Sequence, residues 1–208
     1  DKFSHLEKMH GEENAKLAAQ SHRSAIDTIE KIVKELKIDC DFQRVDGYLF
    51  TPPGGGLQEL EQEYDAAKRA GFDDIAWAAS APIPGYDTGH CLRFPHQGQF
   101  HPLKYLAALA KDISAKGGII HEHSSASEIT DGEHVTVNTR GGSTVTAKNL
   151  IIATNAPVHD NFAVFTRQAP YRSYVLCFKI AKDSVPNALY WDDADPYHYV
   201  RVLEHDAT

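Results

Sequence analysis

Between Glu12 and Lys37 the apolar residues fall at Leu17, Ala18, Ala25, Ile29, Ile32, Val33 and Leu36, with charged residues between them. Spacings of three and four gather such positions into one stripe, so a long amphipathic helix is predicted over 12–37. Ile38–Phe42 leads into Arg44–Phe50 (RVDGYLF), a β-rich run closed by the breaker TPPGGG. A second helix follows over about 57–70, with Gly71 where a C-cap would sit. Ala79–Gly89 is rich in Pro, Gly and small residues and reads as a long irregular connection flanked by short strands. Pro102 then opens a third helix, PLKYLAALAKDISAKGG, with Pro in the first turn and Gly117–Gly118 past its end. Short β-type runs come next: Gly118–His123, His134–Arg140, Ser143–Ala147 and Asn149–Asn155, with a hairpin turn at Arg140–Gly142. Three further strands are predicted over Ser173–Ile180, Leu189–Trp191 and Tyr197–Leu203. Helices, a meander and apolar strands in this order indicate an α+β (mixed α/β) layered structure.

The composition, 42% hydrophobic and 24% charged over 208 residues, supplies enough apolar surface for a real core. A formal charge of −8 without any block of like charge disfavours polyphosphate partners, nucleic acid among them. Cys40, Cys91 and Cys177 are odd in number and far apart, which fits neither a disulfide framework nor a CxxC metal site. No run reaches the length of a membrane span and the first residues lack a secretory pattern, so a cytoplasmic location is expected. The chain starts DKFSHLEKMHG and stops at RVLEHDAT just after a strand-like run, and is expected to be an internal piece of a longer protein.

Several candidate chemistries can be weighed on local sequence. Gly54–Gly56 follows a strand and opens a helix, as a phosphate loop would, but the spacing matches neither GxGxxG nor GxxxxGK[ST]. Glu59, Glu61 and Glu63 in the first turns suit the helix dipole and would repel an anion, so a plain turn is expected. His121 and His123 would share a strand face, yet no third ligand is near in sequence, although His90, Cys91 and His96 could approach in space; no metal site is expected. No GxSxG or comparable nucleophile signature is present. His101, just before the third helix, is expected to cap the helix entry.

The tail is richer. Tyr190, Trp191, Asp192, Tyr197, His198, Tyr199 and Arg201 crowd into two strands, and alternation puts Tyr197, Tyr199 and Arg201 on one face. Tyrosines beside a guanidinium suit a small ligand that bears a carboxylate.

Gln97–Pro102 with KYLAALAKDISAKGGIIHEHSSASEI, followed by HVTVNTRGGSTVTAKNLIIATNAP, resembles the glycine and D-amino-acid oxidase-like family of FAD-dependent oxidoreductases. In that family a Pro-led helix, a strand, an adenine-contacting loop, a meander and a returning A-T-x-A segment occur in this order. RVDGYLF, AKRAG and YWDD…PYHYVR are also similar to the branch that carries a C-terminal Rieske domain.

The resemblance implies an antiparallel-sheet substrate domain together with an inserted part of a Rossmann-like FAD-binding domain. Residues 1–41 would be a helical lead-in, 42–100 and 158–208 parts of the substrate domain, and 101–157 part of the FAD domain. Ser125 and Ala126 would lie against the adenine, and Ala153, Thr154 and Asn155 near the diphosphate. The GxGxxG element of the family is absent from this sequence, so the resemblance implies weak or no FAD binding by these residues alone.

For the intact protein the resemblance implies oxidation of a small amine or amino acid by hydride transfer to flavin, with a 2Fe-2S cluster in a domain outside this sequence. Tyr48, Tyr197, Tyr199 and Arg201 are the expected substrate-side residues, Arg201 holding a carboxylate. The rival expectation is a non-enzymatic binding module whose aromatic tail recognises a protein.

Overall fold

The computed structural model describes residues 2–154, 169 and 171–203. The chain divides into two compact units, one formed by 1–111 with 179–208, the other by 112–178.

The first unit is built on a five-stranded sheet. Its strands are β1 (Gln43–Phe50), β2 (Ala76–Ala78), β3 (Cys91–Gln99), β7 (Leu189–Asp192) and β8 (Tyr199–Arg201), in the order β2-β3-β1-β7-β8. Pairings are antiparallel except for β1 with β7, which run parallel with Tyr48 opposite Tyr190 and Phe50 opposite Asp192.

Helices α1 (Phe3–His10), α2 (Glu12–Leu36) and α3 (Gln58–Arg69) belong to the same unit. Period-two alternation sorts the strand residues between two faces. Leu49, Leu92 and Phe94 pack with Leu60, Ala67, Phe72 and Ile75 into one core, which half-buried Phe3 and Trp191 join. On the other face Phe50, Cys91 and Tyr190 pack with Ala81 and Ala188 from the connections, with Tyr48, Ile83 and Val185 alongside.

The predicted long helix, the RVDGYLF strand and the helix ending at Arg69 all form, and Gly71 has φ +94°, a conformation that favours glycine at a helix end. The eight-residue α1 escapes a sequence reading because it is short and Gly11 separates it from α2. Its N-terminus is held from a distance. Glu63 of α3, 2% exposed, accepts from the Phe3 and Ser4 amides at 2.8 and 2.9 Å and from Ser4 Oγ at 2.8 Å. Two of the amides that a helix start leaves unpaired are thereby satisfied.

Gly47 sits where β1 passes under an indole. A Cβ there would stand 2.7 Å from Trp191 Cζ3 and 2.8 Å from its Cη2. Gly47→Ala is therefore expected to cost about 1–3 kcal/mol through displacement of Trp191, as overpacking does, and urea denaturation with tryptophan fluorescence would measure it.

The second unit contains a three-stranded antiparallel meander of β4 (Ala126–Thr130), β5 (Val135–Thr139) and β6 (Thr144–Ala147). The hairpin turn expected at Arg140–Gly142 is present, with Gly142 at φ +83°. Helix α4 (Pro102–Ala115) begins at the predicted proline. Its residues up to Lys111 belong to the first unit, where Tyr105 packs against Ile38 and Cys40. His101 caps its entry, its Nδ1 accepting from the Lys104 amide at 3.3 Å.

Three expected strands do not form. Residues 118–123, 149–154 and 173–180 carry no strand structure, and Asn155, the last of the expected Asn149–Asn155 run, lies outside the described residues. Ile119 and Ile151 are 78% and 87% exposed. A strand is held by its ladder, and none of these runs has a hydrogen-bonded neighbour strand among the described residues. Their apolar character alone cannot fix them.

Candidate functional site

The sheet face that carries Phe50 and Tyr190 ends in a pocket of about 460 Å3 walled by Phe50, Pro52, Pro53, Ile83, Tyr86, Val185 and Val200. Phe50 comes from the last residue of β1 and Val200 from β8. Ile83 and Tyr86 come from the irregular Ala79–Gly89 connection, which Thr88 ties back through its Oγ1, the acceptor of the Ala81 amide at 2.8 Å. Tyr86 stands edge-on to Phe50 with ring centres 6.5 Å apart.

Two polar side chains complete the lining, Asp192 and His198. Asp192 Oδ2 lies 2.8 Å from His198 Nδ1, and its Oδ1 accepts from the His198 amide at 2.8 Å and the Ala194 amide at 3.3 Å. The Asp192 side chain is 9% exposed and that of His198 is 76% exposed. A buried carboxylate thus orients an accessible imidazole. Both residues belong to the aromatic tail, but their pairing is not visible in local sequence: they flank the connection between β7 and β8, and only the hairpin pairing brings them together.

The four expected substrate-side residues divide between the two faces. Tyr48 stacks on Tyr190 at 5.7 Å on the pocket side. Burial pushes the Tyr48 hydroxyl above its usual range, and pushes that of Tyr190, which donates to Pro186 O at 2.8 Å, up to about 12. Opposite Tyr48 on β3, Arg93 donates from Nε to Asp46 Oδ2 at 2.7 Å. Its charge is answered within the fold.

Tyr199 pairs with Trp191 and Arg201 with Leu189, so both lie on the other side of the sheet from Tyr48. There Tyr197 and Tyr199 have ring centres 6.3 Å apart, and the Arg201 guanidinium stands 5.5 Å from the Tyr199 ring. No carboxylate pairs with Arg201 among the described residues. Tyr199 and Arg201 on the edge strand form one exposed group with Tyr197, which precedes it, and Tyr48 is separate from them, because the register that pairs Tyr48 with Tyr190 fixes opposite alternation for β8.

In the second unit, Ser125 and Ala126 lead into β4, and the Ser125 carbonyl accepts from the Arg140 amide at 2.9 Å. Ser125, Ala153 and Thr154 are exposed and Ala126 is half-buried. The side chains of Ser125, Ala153 and Thr154 are small and accessible. Asn155 lies outside the described residues. The α3 N-terminus does not fit a phosphate: Glu59 and Glu61 occupy its first turn, and Glu59 is paired with Lys2 at 2.6 Å. No group of three or more potential metal ligands converges among the described residues, and no described helix is long and apolar enough to cross a membrane.

Comparison with known proteins agrees with this architecture. The FAD dependent oxidoreductase (DAO) family model matches residues 4–207. The putative Rieske 2Fe-2S iron-sulfur protein YhfW of Bacillus subtilis (strain 168) is 34% identical over 182 residues, which covers 86% of this chain and 35% of that protein. The chain therefore spans about a third of the length of this relative. Among solved structures, L-proline dehydrogenase from P. horikoshii superposes with a TM-score of 0.60 at 12% identity, covering 83% of this chain and 49% of that one. Glycine oxidase from Geobacillus kaustophilus gives 0.56 at 20% identity, covering 67% and 39%. At these identities the likeness is one of fold.

Proposed function

Because this chain belongs to the FAD dependent oxidoreductase family, we propose that the protein it represents oxidises a small amine or amino acid. FAD, when bound, supplies a two-electron acceptor for the hydride on the carbon that bears nitrogen. The residues of this chain have the task of holding and orienting the substrate and excluding water.

The observation that carries the reading at the substrate end is the Tyr197–Tyr199–Arg201 group. Its guanidinium has no anionic partner among the described residues, and a planar fork beside two phenol rings suits a carboxylate attached to a small apolar body. Arg93, already paired with Asp46, is the weaker candidate for that role. Ser125, Ala126, Ala153 and Thr154 are proposed to meet the nucleotide part of FAD through their main chain, with Asn155 beside them. Residues 101–157 would then be the FAD-domain portion, and 42–100 with 158–208 the substrate-domain portion, 1–41 leading in. The name of the Bacillus subtilis relative supports a Rieske 2Fe-2S domain as the onward electron acceptor.

Anaerobic mixing of the full-length, flavin-loaded protein with glycine, L-proline or benzylamine is expected to bleach the oxidised flavin absorbance with at least one of them. A flavin that dithionite reduces but no amine or amino acid does would remove this function. Hydrogen peroxide formed in step with substrate in air would instead argue against the iron–sulfur route.

A further inference from the structure

The Asp192–His198 pair has no part in the carboxylate-holding role assigned to Arg201, and Val200, which lies between those two elements in sequence, walls the pocket on the opposite side of the sheet. We propose that this pocket is a binding site for an organic ammonium ion with an apolar body, held at its nitrogen by His198 under the charge of Asp192.

The direction of hydrogen bonding follows from the chemistry of the partners. An ionised carboxylate only accepts, and Asp192 Oδ2 lies 2.8 Å from His198 Nδ1, so Nδ1 carries the ring proton. In the neutral ring Nε2 then keeps its lone pair and is an acceptor. Both carboxylate oxygens are engaged, by His198 Nδ1, the His198 amide and the Ala194 amide. Asp192 consequently holds His198 at both its ring Nδ1 and its backbone amide, while the side chain stays 76% exposed.

Charge selects the ligand class. Asp192 is the one formally charged group lining the pocket, and among the described residues no Lys or Arg pairs with it. Neighbouring Asp193, by contrast, has Lys2 at 3.7 Å. A ligand anion would meet an unanswered carboxylate, whereas a cation that donates to Nε2 would gain from it. The remaining wall is apolar, from Phe50, Pro52, Ile83, Val185 and Val200, and the exposed ring of Tyr86 offers a face that favours a cation. An α-amino acid would bring its own carboxylate toward Asp192, so the site takes simple amines and excludes amino acids.

The test is binding rather than turnover, and so stands or falls apart from the proposed oxidation. Benzylammonium and benzoate, equal in ring size and opposite in charge, are titrated calorimetrically into the full-length, flavin-loaded Arg201→Met protein, which lacks the guanidinium proposed to hold carboxylates, with its flavin reduced anaerobically by dithionite so that no oxidation adds heat. Benzylammonium is expected to bind and benzoate not to. Asp192→Asn and His198→Ala are each expected to weaken benzylammonium about tenfold or more, the loss typical of a hydrogen bond that involves a charge. His198 is exposed, so its removal leaves the core intact. Selective 15N labelling of histidine, with the His198 signal identified from the His198→Ala spectrum, gives a second reading. At a pH where the ring is neutral, the free protein should show protonated Nδ1 and unprotonated Nε2, and benzylammonium should shift the Nε2 signal. Benzoate binding as well as benzylammonium, affinity unchanged in both variants, or a proton on Nε2 in place of Nδ1 would each overturn the proposal.

Discussion

Arg201→Met in the full-length protein is expected to raise the KM for amino-acid substrates about a hundredfold while leaving that for simple amines nearly unchanged. The size follows from two charge-assisted hydrogen bonds that a methionine cannot make, together about 3 kcal/mol in a partly exposed site, which corresponds to about two decades in affinity. Methionine keeps most of the aliphatic length, so the stacking neighbours Tyr197 and Tyr199 are least disturbed. Because the guanidinium lies on an exposed edge strand, fold stability should hardly change. Steady-state kinetics with L-proline and benzylamine side by side would check this. Equal effects on both substrates would mean that Arg201 acts on the protein rather than on a carboxylate.

Glu63→Ala is expected to destabilise the first unit by about 3 kcal/mol, and Glu63→Gln by about half of that. The carboxylate is buried and accepts three hydrogen bonds from Phe3 and Ser4. Its removal leaves two amides at the start of α1 without a partner and opens a cavity beneath them. Glutamine preserves the shape and one accepting oxygen but loses the charge that the helix start favours. Phe3 then has less to hold it against Phe72, where the rings stand 4.9 Å apart. Urea denaturation would measure the loss. Hydrogen exchange should locate it in α1, and unchanged protection of the Phe3 and Ser4 amides in Glu63→Ala would contradict the account.

What the sequence disclosed follows from the range over which each element is determined. Helices α2, α3 and α4 carry their own signals: an apolar stripe, Pro102 at a start and Gly71 or Gly117 past an end. The hairpin at Gly142 is equally local. The runs at 118–123, 149–154 and 173–180 read as strands on apolar content, but a strand is defined by its neighbour, and theirs is not among the described residues. The candidate site divides in the same way. Grouping Tyr199 with Arg201 needs only alternation along β8, with Tyr197 just before it. Separating them from Tyr48 needs the parallel register of β1 with β7, and pairing Asp192 with His198 needs the hairpin of β7 with β8. Arg93 and Asp46 meet only through the β1–β3 ladder, which no local pattern announces.

The strand order has a consequence for how the molecule is made. A ribosome releases β1, β2 and β3 early, and these can pair at once, but the other side of β1 waits for β7, which emerges after the whole of residues 112–178. During that interval one edge of β1 is an open ladder, a template for a second nascent chain. The two later strands arrive as a short hairpin, so closure is a single late docking event, and long-range pairing of this kind is slow. Expression at low temperature or with a chaperone that shields strand edges should then matter more to yield than any change to the helices, because the hazard lies in the order of synthesis and not in the finished fold.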